Sequence, residues 1–381
     1  MKKVLILHTA TTMGGAEYSL LELLRNLDGT SDSVHVIASI EQILFKYVNL
    51  LPVRVHDIYL PFLHRKRLFN ACIELAKASV KLYQLVRKEK IQVVYCNTFR
   101  SLPFCLLIKL MTCQAAKLLT GSNSPKPKIV CHCRDHIPFR FMRFITGVMA
   151  DECIAVSNDI FRELPRSSKN HIIHNGVNPL LFQTTDTAKY RIIKQYRLPD
   201  QTRIIGNIGQ IISWKNQQDF LAVAASLLRS HKNLHFFLVG TVVDNDYFLV
   251  LKKQIQVLGL EQYITFTGHV ENIADYLSAF TLVLHTAHSE PFGRVLIEAG
   301  ASGIPVVAYS SGGPSEIIDT GRTGFLVKDG NIEEMAELTT VLLDNPNLLT
   351  IMGKSARKHV TRHFNSKDYA RKVYNTLTNN Y

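Results

Sequence analysis

Two doubly wound α/β domains are the fold class predicted by this 381-residue sequence, on three observations. Short β-rich apolar runs alternate with amphipathic helical stretches such as "NQQDFLAVAASLLRSH", the pattern of parallel strands buried between helices. The series occurs twice, once in each half of the chain. The length exceeds one ordinary core and suits two domains of similar size. Hydrophobic residues at 46% and charged residues at 20% are globular proportions, which exclude disorder as the default.

Taken in order, the first half offers the strands "KVLILHT", "SVHVIAS", "IQVVYCN", "KIVCHCR" and "ECIAVS". The opening run carries two lysines, but its apolar core is only about five residues before His8, short of the roughly 7–15 of a signal peptide. It reads as a first strand. The longest apolar run, "LPFCLLIKLM" (102–111), is broken by Lys109 and too short to span a bilayer. A cytoplasmic location is therefore expected. The stretch "TGSNSPKPK" (120–128) reads as a loop. Regular patterning lapses over "LLFQTTDTAKY" (180–190), which sets the expected boundary: a first domain over 1–185, a second over 186–362. The second half gives "RIIGNIG", "LHFFLVG", "YITFTG", "TLVLHTA", "IPVVAY" and "GFLV", and "SKDYARKVYNTL" reads as a final helix within 363–381.

All seven cysteines (Cys72, Cys96, Cys105, Cys113, Cys131, Cys133, Cys153) lie in the first half, without CxxC pairs. An odd number in apolar surroundings points to reduced, buried thiols. Charge is equally uneven. Residues 1–185 hold 24 Lys and Arg against 13 Asp and Glu, residues 186–381 hold 20 against 18. The basic half suits an anionic partner, whether a phosphate-bearing substrate, an acidic membrane surface or nucleic acid; scattered lysines serving only solubility are the competing account.

In open α/β sheets ligands bind at the carboxyl ends of the strands, so the exit loops and the cleft between two such sheets are where chemistry is expected. In "TLVLHTAHSEPFGRVLIEAG" (281–300) a strand, a turn and a helix follow one another. Glu290 falls in the turn and Glu298 inside the helix, a continuous rise of about 12 Å apart. They therefore serve separate points of an elongated ligand. The N–H groups of Phe292, Gly293 and Arg294 open the helix and suit phosphate oxygens. Glu298 can accept from a ribose diol and Glu290 from sugar hydroxyls. The plainer alternative makes Glu290 a helix-dipole partner and Glu298 a solvated residue.

In "IGNIGQIISWKN" (205–216) Lys215 precedes a helix and can reach a diphosphate, with Gln210 as a neutral donor. In "TATTMGGAEYSLLELL" (9–24) Gly14 and Gly15 offer backbone donors, though not as G-x-G-x-x-G, which weakens a nicotinamide reading. "YSSGGPSEII" (309–318) adds Gly312, Gly313 and Glu316 after a strand. "KIVCHCRDHIP" (128–138) sets His132, Arg134, Asp135 and His136 at a strand end, where an imidazole can bond a sugar hydroxyl.

Together these residues resemble the retaining, GT-B-fold glycosyltransferases of family four. The resemblance rests on the Glu290-x7-Glu298 pair, "GGAE" at 14–17, "IAVS" at 154–157, "VN" after Asn175-Gly176, Lys215 after Gly209, "FLVG" at 237–240, "FTGHV" at 266–270 and "GGPSE" at 312–316. It covers nearly the whole chain. It implies two Rossmann-like domains facing each other across a cleft, the first binding acceptor and the second the nucleotide sugar, with the final helix crossing back to the first. A sugar would pass from a UDP- or GDP-sugar to a glycan or lipid-linked acceptor with retention, as in polysaccharide biosynthesis. By the same resemblance Glu298 would hold ribose and Glu290 the donor sugar, Lys215 and the Gly15 backbone the diphosphate, and the backbone near Val270 the base. Phe292 and Gly293 would offer N–H groups to the sugar, with Arg294 and Val295 also at the donor. His132 would be the active-site histidine, with His136 as its rival, and Arg134, Asp135, His136 and Asn175 would lie on the acceptor side. The family's usual arginine after the glycine of the "IGNIG" turn is Gln210 here, which removes one fixed positive charge from the leaving diphosphate.

No cofactor or metal is expected. "DND" (244–246) follows "FLVG" as a turn, and in "CHCRDH" strand alternation turns Cys131 and Cys133 away from His132. An epimerase of the same fold would act on the donor without an acceptor. A basic nucleic-acid binder would leave the second-half loops unexplained, and RRM, zinc-finger and KH signatures are lacking; nucleic acid is not expected. "FRFMRFITGVM" (139–149) and "HRKRLF" (64–69) mix aromatic and basic residues, which suits peripheral attachment at the inner face of an anionic membrane; core packing with basic edges is the alternative.

Overall fold

The computed structural model describes residues 2–9, 12–27, 33–39, 43–60, 68–111, 126–167 and 169–378, with the side chains of 68–72 and 111 excepted. Two compact units emerge: Met1–Gly176 with Ser366–Tyr381, and Val177–Asn365.

Unit 1 is built on a seven-stranded parallel sheet in the order β3-β2-β1-β4-β5-β6-β7. The strands are β1 (Val4–Leu7), β2 (Val34–Ile37), β3 (Arg54–His56), β4 (Val93–Cys96), β5 (Lys128–Cys133), β6 (Glu152–Ala155) and β7 (His171–Ile172). The five apolar runs anticipated above are its five central strands. The sequence pattern does not announce β3 and β7, since edge strands of three and two residues, rich in Arg and His, bury no continuous apolar face.

Register decides what lines the carboxyl edge. Leu7 pairs with Cys96 and Cys96 with Cys131, so one residue further on His8, Asn97 and His132 stand side by side. Alternation then sends Cys131 and Cys133 to the opposite face, where their sulfurs lie 3.7 Å apart. Cys96 and Cys105 are 3.6 Å apart. These four and Cys153 are free and buried. Burial pushes the Cys131 thiol up to about 12, so reduced, inert thiols are what this face holds.

The final helix, Ser366–Thr378, belongs to unit 1. Its Tyr369, Ala370, Val373 and Leu377 form one apolar stripe that packs into the core of Val4, Ile6, Leu20, Leu24 and Tyr95. Lys128 Nζ donates to the carbonyl of Thr376 at 2.6 Å, at the negative end of that helix. The changeover between units falls at residues 176 and 366, not at 185 and 362. Thr185 is instead the N-cap of the helix Asp186–Gln195, and residue 362 lies in the last turn of Pro346–His363. The two crossing segments pair with each other: Val177 bridges Asn365, and its N–H reaches the Phe364 carbonyl at 2.9 Å.

Unit 2 has a six-stranded parallel sheet, β10-β9-β8-β11-β12-β13. Its strands are β8 (Arg203–Ile208), β9 (Leu234–Val239), β10 (Ile264–Gly268), β11 (Phe280–His285), β12 (Val306–Tyr309) and β13 (Gly324–Val327), one for each run anticipated. Asp244 of the "DND" turn caps the helix Asn245–Leu258, accepting from the Tyr247 N–H at 3.0 Å. Its carboxylate thus has a structural use.

Candidate active site

In unit 2 the exit loops of β8 and β11 are laced together. After Gly209 the chain makes a short turn at Ser213–Lys215, and Asn216, in the left-handed region at φ 49°, starts the helix Gln217–Leu227. The Trp214 carbonyl accepts the His288 N–H at 2.9 Å, and the Lys215 carbonyl accepts Thr286 Oγ1 at 3.2 Å. These bonds fix Lys215 against the turn that carries Glu290. Lys215 Nζ donates to Glu290 Oε2 at 2.5 Å and stands 4.1 Å from the centroid of the Trp214 ring.

His285, the last residue of β11, brings Nε2 to 3.2 Å from the same oxygen, a close contact outside good hydrogen-bond direction. Burial alone would raise the Glu290 carboxyl, but Lys215 and His285 overcome it and hold it far below the usual carboxylate range. Burial lowers His285, with Glu290 opposing. The neutral imidazole is therefore the resting form.

The "EPFG" turn is shaped by two glycines. Gly293 adopts φ +93°, where other residues are strained. A Cβ on Gly313 would lie 2.3 Å from the Phe292 backbone, so only glycine permits the loop after β12 to rest on this turn. Gly313 N–H then bonds the Glu290 carbonyl at 2.8 Å. From the helix Arg294–Ala301, Arg294 Nε reaches Glu298 Oε1 at 2.7 Å, and Glu298 is buried, not a solvated helix residue. Val295 is half-buried in the same first turn. Gln210 is half-buried, its carbonyl taken by Gln217 Nε2 at 2.9 Å, and Val270 is half-buried beyond β10.

In unit 1 the strand ends carry a continuous buried network. Glu17 closes a capping box on the helix Gly15–Arg25: Oε2 accepts the Gly14 N–H at 2.8 Å. That N–H is thus held by Glu17. Glu17 Oε1 contacts His8 Nε2 at 2.5 Å, and His8 Nδ1 meets Asn97 Nδ2 at 3.2 Å. Burial raises the Glu17 carboxyl, yet His8 and the backbone bonds leave it lowered.

Arg134 extends the network. Its Nε donates to Asn97 Oδ1 (3.0 Å), Nη1 to Asn175 Oδ1 (2.5 Å) and Nη2 to the Tyr369 hydroxyl (2.7 Å), the Tyr95 hydroxyl and His132 Nδ1 (both 3.3 Å). Among the described residues these partners are all neutral. Because Arg134 can only donate, His132 Nδ1 accepts and the ring proton sits on Nε2. That nitrogen is buried without a partner among the described residues. Burial, then Arg134, drives the His132 pKa far below its ordinary value.

The structure therefore joins His132, Arg134 and Asn175 and separates them from their neighbours in sequence. Asp135 pairs with Arg100 at 2.5 Å, and His136 Nδ1 with Glu163 Oε1 at 2.8 Å. Sequence reasoning missed Trp214, His285, His8, Glu17, Asn97, Tyr95 and Tyr369. A signal did exist for three of them. "LILHT", "YCNT" and "LVLHT" each end an apolar strand on His or Asn, and a polar residue at the end of a buried strand needs a partner. Among the described residues, no three His, Cys, Asp or Glu side chains are grouped to hold a metal ion.

Comparison with known proteins also divides the chain in two. The family model described as Glycosyltransferase Family 4 matches residues 13–179, and that described as Glycosyl transferases group 1 matches 188–359. An N-acetyl-alpha-D-glucosaminyl L-malate synthase of Bacillus anthracis is 26% identical over 300 residues, 77% of this chain and 76% of that protein. A D-inositol 3-phosphate glycosyltransferase of Streptomyces avermitilis is 31% identical over 226 residues, 55% of this chain and 48% of the other. Among solved structures, Anabaena Alr3699/HepE in complex with UDP-glucose superposes with a TM-score of 0.83 over 100% of both chains at 23% identity, a likeness of fold.

Proposed function

The chain belongs to the group 1 glycosyltransferases of family four and has their GT-B fold, and from that premise we propose that it moves a hexose from a UDP- or GDP-sugar to a glycan or lipid-linked acceptor, with retention and without a metal. The observation that carries the reading is the Lys215–Glu290 pair at the carboxyl ends of β8 and β11. An ammonium fixed there meets the charge that grows on a departing diphosphate.

In this reading unit 2 holds the donor. Lys215 and the first turn of the helix Arg294–Ala301 receive diphosphate oxygens. Glu290 accepts from the donor sugar's hydroxyls, the Phe292 and Gly293 N–H groups assist, and Glu298 turns from Arg294 to the ribose. Gln210 adds a neutral donor, and the backbone near Val270 contacts the base. The bond from the anomeric carbon to the diphosphate oxygen breaks, and the acceptor oxygen bonds that carbon on the same face. The acceptor's proton passes to a donor phosphate oxygen, and nucleoside diphosphate leaves. Unit 1 supplies the Gly15 backbone and, at the acceptor, His132. Its Nε2–H, unpartnered among the described residues, supports that choice over His136, which Glu163 already holds.

The test is nucleotide release from a panel of UDP- and GDP-sugars, with and without chelator and acceptor, for wild type and Glu298→Ala. Release from one donor, indifferent to chelator and reduced in the variant, supports the reading. Sugar conversion without acceptor would favour an epimerase, and loss of activity with chelator would remove the metal-free mechanism.

Attachment at the inner face of an anionic membrane is part of the proposal. Phe139, Phe141 and Phe144 are 59%, 69% and 66% exposed on and just before the helix Arg140–Met149, beside Arg140 and Arg143. Exposed aromatics interleaved with arginines suit insertion at an anionic interface. Arg65, Lys66 and Arg67 lie outside the described residues. Among those described, no helix is long and apolar enough to cross a membrane. Flotation with anionic vesicles, lost in Phe141→Ser/Phe144→Ser, is the expected result; equal recovery on neutral vesicles would reject it.

A further inference from the structure

Lys215 rests on two supports of different kinds. One is the Glu290 carboxylate at 2.5 Å, the other the indole face of Trp214 at 4.1 Å. Only the first competes with a ligand. When a donor sugar draws on Glu290, the ammonium loses part of its anionic partner. A π face keeps attracting it, since the ring quadrupole neither accepts its proton nor binds sugar hydroxyls in its place.

The indole is well placed to do this. Trp214 is held through its carbonyl by the His288 N–H, so the β11 exit loop that carries Glu290 also fixes the ring's backbone. The lysine stem lies along Gly209, where a Cβ would come within 3.3 Å of Lys215 Cε. Stem, turn and ring together leave the ammonium a small region to occupy.

We propose that Trp214 is a positioning residue that keeps the Lys215 ammonium aimed at the donor diphosphate when Glu290 turns to the sugar. The inference rests on the reading of Lys215 above. It also has a built-in reporter: Trp214 is the one tryptophan in the sequence. Its emission therefore registers movement of the cation above it.

The experiment has two parts, on the full chain. The first measures kcat and KM of nucleotide release for wild type, Trp214→Leu, Trp214→Phe and Lys215→Met, with circular dichroism as a check on folding. Removing the π face should lower kcat/KM about tenfold in Trp214→Leu, while Trp214→Phe recovers to within about threefold. The second titrates UDP and GDP against tryptophan emission in wild type and Lys215→Met. A shift in wild type that disappears in Lys215→Met at saturating nucleotide supports a sensor acting through the lysine.

Unchanged kinetics in folded Trp214→Leu, equal losses in Leu and Phe variants, or an identical emission shift in Lys215→Met would each overturn the proposal for Trp214 alone. Full activity in Lys215→Met, or no binding of either nucleotide to wild type, would instead overturn the assignment of Lys215, and this inference with it.

Discussion

Each unit sets a cation at the carboxyl edge of its sheet, and the two are treated in opposite ways. Arg134 in unit 1 is buried among neutral oxygens and a neutral imidazole, each turned toward it. Lys215 in unit 2 pairs with a carboxylate, retains 14% side-chain exposure and shares its site with an aromatic face. A buried charge with neutral partners survives only if each partner stays in place. A charge paired with an exchangeable carboxylate can give that partner up. The first arrangement holds chain together; the second suits a visiting ligand.

The comparison breaks most visibly at Arg134. Arg134→Met takes a donor from Asn175 and Tyr369 and leaves Asn97 to the Tyr95 hydroxyl, and at about 1–3 kcal/mol per orphaned buried group should cost about 3–5 kcal/mol of stability, read from urea unfolding. A loss below about 1 kcal/mol would mean the network is not structural. Removing both charges of the second site together, in Lys215→Met/Glu290→Gln, should do the reverse, lowering kcat by at least about 10²–10³ while the unfolding midpoint barely moves. If the midpoint falls as far as for Arg134→Met, the contrast between the cations is wrong.

Acid sharpens the contrast further. His132 has a depressed folded pKa, so below the unfolded value of about 6.5 the unfolded chain binds a proton that the native chain refuses. Stability should fall with pH by about 1.4 kcal/mol per unit for this group, from pH about 6.5 downward. His132→Asn should flatten that slope. His285→Asn should flatten it less, because Glu290 opposes the depression there; equal flattening would remove the distinction. Smallest is Asp244→Ala, a lost N-cap worth about 1 kcal/mol with unchanged activity in chelator or added metal. A change in activity there would reopen the metal reading of "DND".

Much of this was legible in advance because parallel strands advertise themselves. Eleven runs, from "KVLILHT" to "GFLV", each became a strand, since a strand buried on both faces must be apolar throughout. The Glu290 and Lys215 loops were found for a related reason: in parallel sheets ligands bind at the carboxyl ends of the strands, which points to the exit loops. The pairing of Lys215 with Glu290 was not legible, being a contact across 75 residues set by how two loops lace together. The acceptor-side reading of Arg134 comes from the family resemblance. Nothing in "CHCRDH" reveals that Asn175 and Tyr369, 41 and 235 residues away, close around it. The unit boundary moved for the same reason, since Val177 and Asn365 meet only in three dimensions.

The return of the final helix has a consequence for the order in which the chain is made. Unit 2 is a single uninterrupted segment, so every residue it needs has been synthesised by Asn365. Unit 1 begins first yet lacks Tyr369, Ala370, Val373 and Leu377 until the last stretch emerges. Domains ordinarily fold in the order they leave the ribosome. Here the unit begun first is the last to have all its residues made, its Arg134 side chain one hydroxyl short until Tyr369 is added. A released chain ending at Asn365 would hold every residue of the second unit and lack part of the first unit's core.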